Sequence, residues 1–243
     1  MATDAPRFRD SDFLADHIQH TMAFYHPRCI DQERGGFFHF FRDDGSIYDG
    51  DTRHLVSSTR FVFNYAMAAR RFDNAEYLEA ARHGVAYLRR AHRNPVTGGY
   101  AWLLNHHEVM DGTNHCYGLA FVVLAYAKAL QAGIEEARGY LEEAWQLMEQ
   151  HFWSEADGLY RDEISADWQT VSPYRGQNAN MHSCEAMLAA YEASHDPKYL
   201  DRADRLAERV AVDLAAQADG LIWEHYDPSW QIDWNYNLSL IHI

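Results

Sequence analysis

The chain repeats itself with a period of about 60 residues, and this period constrains the fold more than any single motif. One marker is a glycine followed within three residues by an aromatic side chain. Its copies, at steps of 63, 59 and 62 residues, begin at Gly36, Gly99, Gly158 and Gly220. A second marker is a leucine that recurs at steps of 64, 63 and 59 residues, at Leu14, Leu78, Leu141 and Leu200. Helical amphipathicity alone would explain the leucines but not the glycines, so the two markers together indicate repeated copies of one structural unit.

Each unit contains the same three parts in the same order. An amphipathic helix comes first, with starts predicted near residues 13, 75, 135 and 197. A β-hairpin follows, for example residues 37–41 and 46–48 around the turn Asp43-Asp44-Gly45. A more apolar helix then follows in three of the units, over residues 55–70, 115–130 and 180–194. Alternating amphipathic and apolar helices predict an all-α toroid, with apolar helices inside, amphipathic helices outside and short β-hairpins at one end.

The predicted helices are too few to close such a ring. Four outer helices and three inner helices are predicted, whereas a closed ring of helical hairpins needs about six pairs. We therefore expect residues 1–243 to form a single partial toroid domain of about seven helices, a fragment of a longer protein. Residues 238–243 follow no helix-starting pattern, and we expect a non-native tail there, with an apolar strand as the alternative.

Composition excludes several classes of partner. The formal net charge of −15 would repel nucleic acid and anionic membranes. No run of about 18 apolar residues or signal peptide is present, so we expect a cytoplasmic protein. Cys29, Cys116 and Cys184 show no paired spacing and are predicted to be buried thiols.

Polar residues near the starts of the inner helices are the candidate site residues. Arg60 and His182 each lie 18 residues before a leucine of the repeat, which predicts that both side chains enter one central cavity. The alternatives are a structural ion pair for Arg60 and a hydrogen-bonded core histidine for His182. Glu185 lies three residues after His182, on the same helical face, where its carboxylate can orient the imidazole. Asn178 or Asn180 has the side chain of a helix cap.

Other chemistries have weaker support. The fifteen histidines raise the possibility of zinc, and His106-His107-Glu108 with His115 is the best group for it. The spacing matches no zinc template, and the first three residues fall in a predicted hairpin turn, so we predict no metal. The sequence contains no nucleophile elbow, phosphate-binding loop or dinucleotide fingerprint.

The segment Asn178-Ala179-Asn180-Met181-His182-Ser183-Cys184-Glu185-Ala186 resembles the N-acylglucosamine 2-epimerase family, in particular its mannose and sulfoquinovose isomerase branch. Ser58-Thr59-Arg60, the run from Tyr117 to Phe121 and the run from Trp223 to Asp227 support the resemblance. It implies an (α/α)6 barrel and cofactor-free aldose–ketose isomerisation or C2 epimerisation of a monosaccharide through a cis-enediolate.

The resemblance also implies roles for particular residues. Arg60, Tyr117, Asn178 and His182 match positions that hold the sugar and its developing oxyanion, and Glu185 supports His182. Among the residues present, His182 is the candidate catalytic residue. The two acid–base histidines of the family lie on later inner helices, so the fragment is expected to be inactive.

The sequence leaves two alternatives to a sugar isomerase. An unsaturated-uronide hydrolase on the same toroid would need an Asp at the start of an inner helix. A non-catalytic helical scaffold would have no ordered polar site around Arg60 and His182. The sequence does not indicate which sugar is used or the oligomeric state.

Overall fold

The computed structural model describes residues 8–236, which contain seven α-helices. They are α1 (Ser11–Tyr25), α2 (Leu55–Phe72), α3 (Ala75–Tyr87), α4 (Cys116–Gln131), α5 (Ala137–Leu147), α6 (Gln177–Ser194) and α7 (Pro197–Glu208). Helices α2, α4 and α6 pack side by side in that order, and α3, α5 and α7 pack against them in turn. This alternation confirms the predicted arrangement of inner and outer helices.

Helix α4 is the centre of the core. It lies between α2 and α6, and thirteen of its sixteen residues are buried, as its apolar sequence predicts. Helix α1, by contrast, has no buried residue. It is held mainly at its carboxyl end, where the Tyr25 ring lies 5.4 Å from Phe41 and 5.8 Å from Phe61.

Side-chain caps begin two of the outer helices where the sequence predicts them. Asn74 accepts hydrogen bonds from the backbone of Glu76 and Tyr77, and Asp196 accepts one from Lys198. The carboxyl ends of α3, α5 and α7 each continue into a π-helical turn, which the sequence did not reveal. These turns are Leu88–His92, Met148–Phe152 and Arg209–Leu214.

The predicted start of the third inner helix was wrong. Helix α6 begins at Gln177, three residues before the predicted start, and Gly176 precedes it without a side-chain cap. Asn178 and Asn180 therefore lie inside the helix, and neither is its cap. The backbone at Gly176 is instead held by strand pairing, and the N–H of Gln177 donates to the carbonyl of Glu224 at 3.0 Å.

Within residues 8–236, eleven short strands connect the helices, and every pairing between them is antiparallel. They are β1 (Phe40–Phe41), β2 (Ile47–Asp49), β3 (Thr52–His54), β4 (Leu103–Asn105), β5 (Glu108–Asp111), β6 (Asn114–His115), β7 (Trp153–Ser154), β8 (Leu159–Tyr160), β9 (Glu163–Ile164), β10 (Arg175–Gly176) and β11 (His225–Tyr226). The predicted hairpin is present as β1–β2. The strand before each inner helix pairs with a strand of the next unit, as β3–β4, β6–β9 and β10–β11. These pairs fix where each inner helix begins.

Cys29 and Cys116 are buried as predicted, whereas Cys184 is only partly buried, and all three are free thiols. No helix within residues 8–236 is long and apolar enough to cross a membrane. The predicted tail at residues 238–243 lies outside the described residues.

Candidate active site

The three inner helices start 61 residues apart, at Leu55, Cys116 and Gln177. Equal steps give each helical position an equivalent in the other two helices. The sixth residues are Arg60, Phe121 and His182. Two of these three are candidates from the sequence, and the third was not recognised there.

The side chains of Arg60 and His182 each contact the ring of Phe121. The Cζ atom of Arg60 lies 4.9 Å from the centre of the Phe121 ring, over its face. The imidazole of His182 lies 4.8 Å from the same ring, tilted by 43°. Phe121 itself is 4% exposed. Arg60 and His182 therefore contact the same aromatic ring.

Arg60 is exposed and is not part of a structural ion pair. Its guanidinium makes no hydrogen bond or salt bridge within residues 8–236. It lines a cavity of about 650 Å³ between α1 and α2 with Asn64, Met67 and Arg71, but His182 does not line this cavity, in contrast to the predicted shared one. An exposed cation without a carboxylate partner is available to an anionic or strongly polar ligand.

His182 is paired with Glu185, as the three-residue spacing predicts. Its Nδ1 lies 2.9 Å from the Glu185 Oε2, and its side chain is 21% exposed. A carboxylate only accepts hydrogen bonds, so Nδ1 carries the proton and Nε2 of a neutral ring keeps its lone pair. That Nε2 has no hydrogen-bond partner in the described part of the chain, which disfavours a fully satisfied core histidine.

Tyr117 and Asn178 occupy the second position of α4 and α6, one turn before Phe121 and His182. The Tyr117 ring lies 5.1 Å from the His182 ring at 87°, and 5.1 Å from Phe121. Asn178 shares its helical face with His182 and is half-buried. These two residues add a hydroxyl and an amide to the same end of the inner helices.

Asn180 has a structural role. It is fully buried, its Oδ1 accepts from the Tyr160 N–H at 2.8 Å, and its Nδ2 donates to the carbonyls of Tyr160 and Gly176. Two of these hydrogen bonds join the start of α6 to β8, and the third joins it to Gly176 of β10. Of the two asparagines in the motif, only Asn178 is left for a ligand.

A second aromatic group, which sequence reasoning missed, surrounds Trp102. The ring of His54 lies 4.3 Å from the Trp102 ring, and the ring of His115 lies 4.0 Å from it. Burial lowers the pKa of His115 to about 4 and lowers that of His54, with Arg60 adding to the second shift. Both imidazoles are therefore neutral at neutral pH. The available signal was their position, because each histidine directly precedes an inner helix.

A buried histidine, His92, and a half-buried one, His39, secure the start of α2. His39 accepts the His54 backbone N–H at Nδ1, 3.1 Å away, so its proton is on Nε2, 3.4 Å from Ser58 Oγ. The same Oγ lies 2.9 Å from Nε2 of His92. Burial is the main cause that lowers the pKa of His39 well below its usual value and that of His92 to about 4. Neutral His39 and His92 rings fit these hydrogen bonds, because a neutral imidazole has one nitrogen that donates and one that accepts.

The residues considered for zinc do not form a metal site. Arg34 donates to Nδ1 of His106 at 2.7 Å, while the His115 ring lies 4.0 Å from the Trp102 ring, tilted by 30°. His106 and His107 form the turn between β4 and β5, as predicted, and Glu108 begins β5. Within residues 8–236, no three His, Cys, Asp or Glu side chains are arranged to hold a metal ion.

Solved structures with the same fold define the class of protein. A crystal structure of a D-mannose isomerase matches with a TM-score of 0.94 and 56% identity, over 97% of this chain and 60% of that one. A cellobiose 2-epimerase from Bacillus thermoamylovorans matches with a TM-score of 0.82 and 18% identity, over 90% of this chain and 61% of that one. These are (α/α)6 toroids, so the predicted fold class is confirmed.

The sequence comparison then identifies the family. The model of the N-acylglucosamine 2-epimerase family matches residues 36–242, and the chain belongs to that family. A D-mannose isomerase from Marinomonas mediterranea is 57% identical over 233 residues, which are 96% of this chain and 59% of that protein. The chain thus spans about 60% of the length of these relatives.

Proposed function

We propose that this chain forms the sugar-binding part of a cofactor-free isomerase or 2-epimerase, with D-mannose as its sugar. The observation that carries the proposal is the meeting of Arg60 and the His182–Glu185 pair on Phe121. An unpaired cation and an imidazole with an available Nε2, both in contact with one ring, suit a substrate that develops negative charge on oxygen. The choice of mannose is supported by the similarity to the Marinomonas enzyme.

In the proposed reaction, a base removes the C2 proton of the open-chain aldose. The electron pair of the broken C–H bond forms the C1–C2 double bond of a cis-enediolate, and the C1 oxygen takes the negative charge. Arg60 stabilises that charge, and His182 hydrogen-bonds to the sugar through Nε2. Tyr117 and Asn178 hold sugar hydroxyls. When the C2 hydroxyl passes its proton to the C1 oxygen, the charge moves to the C2 oxygen and protonation at C1 gives the ketose. Protonation of the first enediolate on the other face of C2 gives the epimer.

Proton transfer is assigned by the family resemblance to two histidines on inner helices that follow α6. In this proposal His182 orients the sugar and does not itself move the C2 proton. The 243-residue chain therefore binds the sugar without turning it over.

Mannose–fructose exchange and loss of the C2 proton in D₂O test this proposal by NMR. The 243-residue chain is compared with a version completed from its source genome, and only the completed version is expected to show exchange. Comparable turnover by both would refute the proposed inactivity of the shorter chain. No turnover by the completed version on D-mannose, with its fold verified by circular dichroism, would refute the proposed substrate.

Arg60 variants test the role of the guanidinium. In the completed version, Arg60→Ala is expected to lower kcat/KM. The loss of transition-state stabilisation should be about 2 to 4 kcal/mol. Arg60→Lys is expected to recover part of the loss, because it restores charge without the planar fork. Unchanged kcat/KM in Arg60→Ala would remove Arg60 from the site.

The hydrolase alternative finds no support in the inner helices. Their first residues are Leu55, Cys116 and Gln177, and their sixth residues are Arg60, Phe121 and His182. An Asp poised to protonate an unsaturated sugar is absent from both positions in these three helices.

A further inference from the structure

We infer that Phe121 is a positioning residue for the proposed enediolate site, acting through Arg60. This inference rests on the proposed function and assigns a role to a side chain that carries no polar atom. Its basis is the contact of one buried ring with a cation from α2 and an imidazole from α6.

The ring of Phe121 is itself held firmly. Its side chain is 4% exposed, with the Tyr117 ring 5.1 Å away on one side and the Phe63 ring 6.5 Å away in a stacked arrangement. Helix α4, which carries Phe121, is the most enclosed helix of the core. A buried ring on a buried helix gives a fixed surface for more exposed groups.

Arg60 depends on that surface for its position. Its guanidinium lies over the ring face at 4.9 Å, and no carboxylate or carbonyl within residues 8–236 holds it. The negative face of an aromatic ring attracts a cation without neutralising its charge. An ion pair would fix the guanidinium equally well but would occupy the donors needed for an oxyanion. Phe121 therefore orients Arg60 while leaving its N–H groups available.

The inference predicts a selective loss of affinity. A cation–π contact and the ordering of one long side chain together correspond to a roughly 5- to 30-fold change in a binding constant. This loss should fall on ligands that carry negative charge where the enediolate does. Neutral open-chain sugars, which rely less on Arg60, should lose little.

The test compares two open-chain probes by calorimetry or ligand-observed NMR, using the 243-residue chain. D-Mannonohydroxamate, at a pH where it is ionised, carries a charge near C1, and D-mannitol is neutral. The quantity measured is the ratio of their affinities in the wild type, in Phe121→Leu and in Phe121→Tyr. A further variant replaces Phe121 by pentafluorophenylalanine, which keeps the ring's shape and reverses its quadrupole.

The expected result is a wild-type preference for the hydroxamate that falls 5- to 30-fold in Phe121→Leu and in the fluorinated variant. Phe121→Tyr should keep most of the preference for the hydroxamate. A preference retained in the fluorinated variant would overturn the positioning role, even if Phe121→Leu failed to fold. Absence of any preference in the wild type would instead overturn the proposed oxyanion site, and with it this inference.

Discussion

Arg60 and His182 are 122 positions apart in the sequence, yet both contact the ring of Phe121, at 4.9 and 4.8 Å from its centre. They come from the first and third inner helices, and the ring comes from the helix between them. This relationship makes the candidate site a product of three repeated units rather than of one motif.

Glu185 is expected to matter for catalysis through His182. Glu185→Gln replaces a charged acceptor by a weaker neutral one, so the imidazole is held less firmly. In the completed version, kcat/KM for D-mannose should fall about tenfold, which is about 1.4 kcal/mol. The matched control is Glu192→Gln on the same helix, where the carboxylate pairs with Lys128 at 2.9 Å. Equal losses in both variants would contradict a specific role for Glu185.

Replacing the two asparagines of α6 by alanine should affect different properties, protein stability for Asn180 and sugar binding for Asn178. Asn180→Ala removes a fully buried amide with three hydrogen bonds and should lower the free energy of unfolding by about 3 kcal/mol. Asn178→Ala should change it by less than about 0.5 kcal/mol while weakening sugar binding. Urea unfolding and a mannose titration measure the two effects. A large loss of stability in Asn178→Ala would instead indicate that Asn178 has a structural role.

Gly118 should be intolerant of a side chain although it lies inside a helix. A Cβ there would be 2.9 Å from Cδ2 of Leu55 and 3.1 Å from the Trp102 ring. Gly118→Ala is therefore expected to destabilise the protein by about 1 to 2 kcal/mol. Gly139→Ala, in α5 with nothing within 4 Å, should stabilise it by about 0.5 to 1 kcal/mol. Thermal unfolding of the pair measures the difference, and similar shifts in both would be inconsistent with the close packing.

His92 should make the fold less stable in mild acid. Burial lowers its pKa to about 4 from an ordinary value of 6.5, so between these pH values the unfolded chain binds a proton that the folded chain does not. The free energy of unfolding should fall as the pH drops from 6.5 to 4, by up to about 3 kcal/mol from this residue. His92→Gln should lose less stability over the same range. An unchanged pH slope in that variant would exclude His92 as the cause.

Asp162 should act in the opposite direction. Burial raises its pKa to about 8, although the Gly176 N–H donates to its carboxyl at 2.8 Å and opposes the shift. The folded protein keeps a proton that the unfolded chain has released, so stability is lost as the pH rises from about 4 through 8. Asp162→Asn should therefore raise the free energy of unfolding at pH 8 by a few kcal/mol and leave it nearly unchanged at pH 4. Chemical denaturation at both pH values measures this, and a loss at pH 8 would contradict it.

The repeat and the chemistry-bearing side chains were predictable from the sequence, because periodic glycines and polar residues in apolar helices leave clear signals. Phe121 was not, for a geometric reason. The leucine marker places the equivalent of Arg60 at residue 123, since loops of unequal length separate the units. Only the helix starts, at constant steps of 61, give the correct position.

The start of α6 shows a second limit. Asparagine is a favoured cap residue, so Asn178 and Asn180 suggested a late start. The actual start is set by β10 pairing with β11, a strand about 50 residues further along the chain. Trp102 was missed for a related reason, because its place beside His54 depends on the pairing of β3 with β4 in the next unit. Local propensity does not contain such long-range pairings.

The constant step between inner helices separates architecture from chemistry. Caps, strand pairs and close helix contacts build each unit. The sixth residue of the inner helix, by contrast, differs between copies and is Arg, Phe or His. Duplicating such a unit supplies a new, already oriented side-chain position on the first turns of an inner helix without disturbing the old ones. A protein built this way acquires or exchanges a reactive group by substituting one residue per copy.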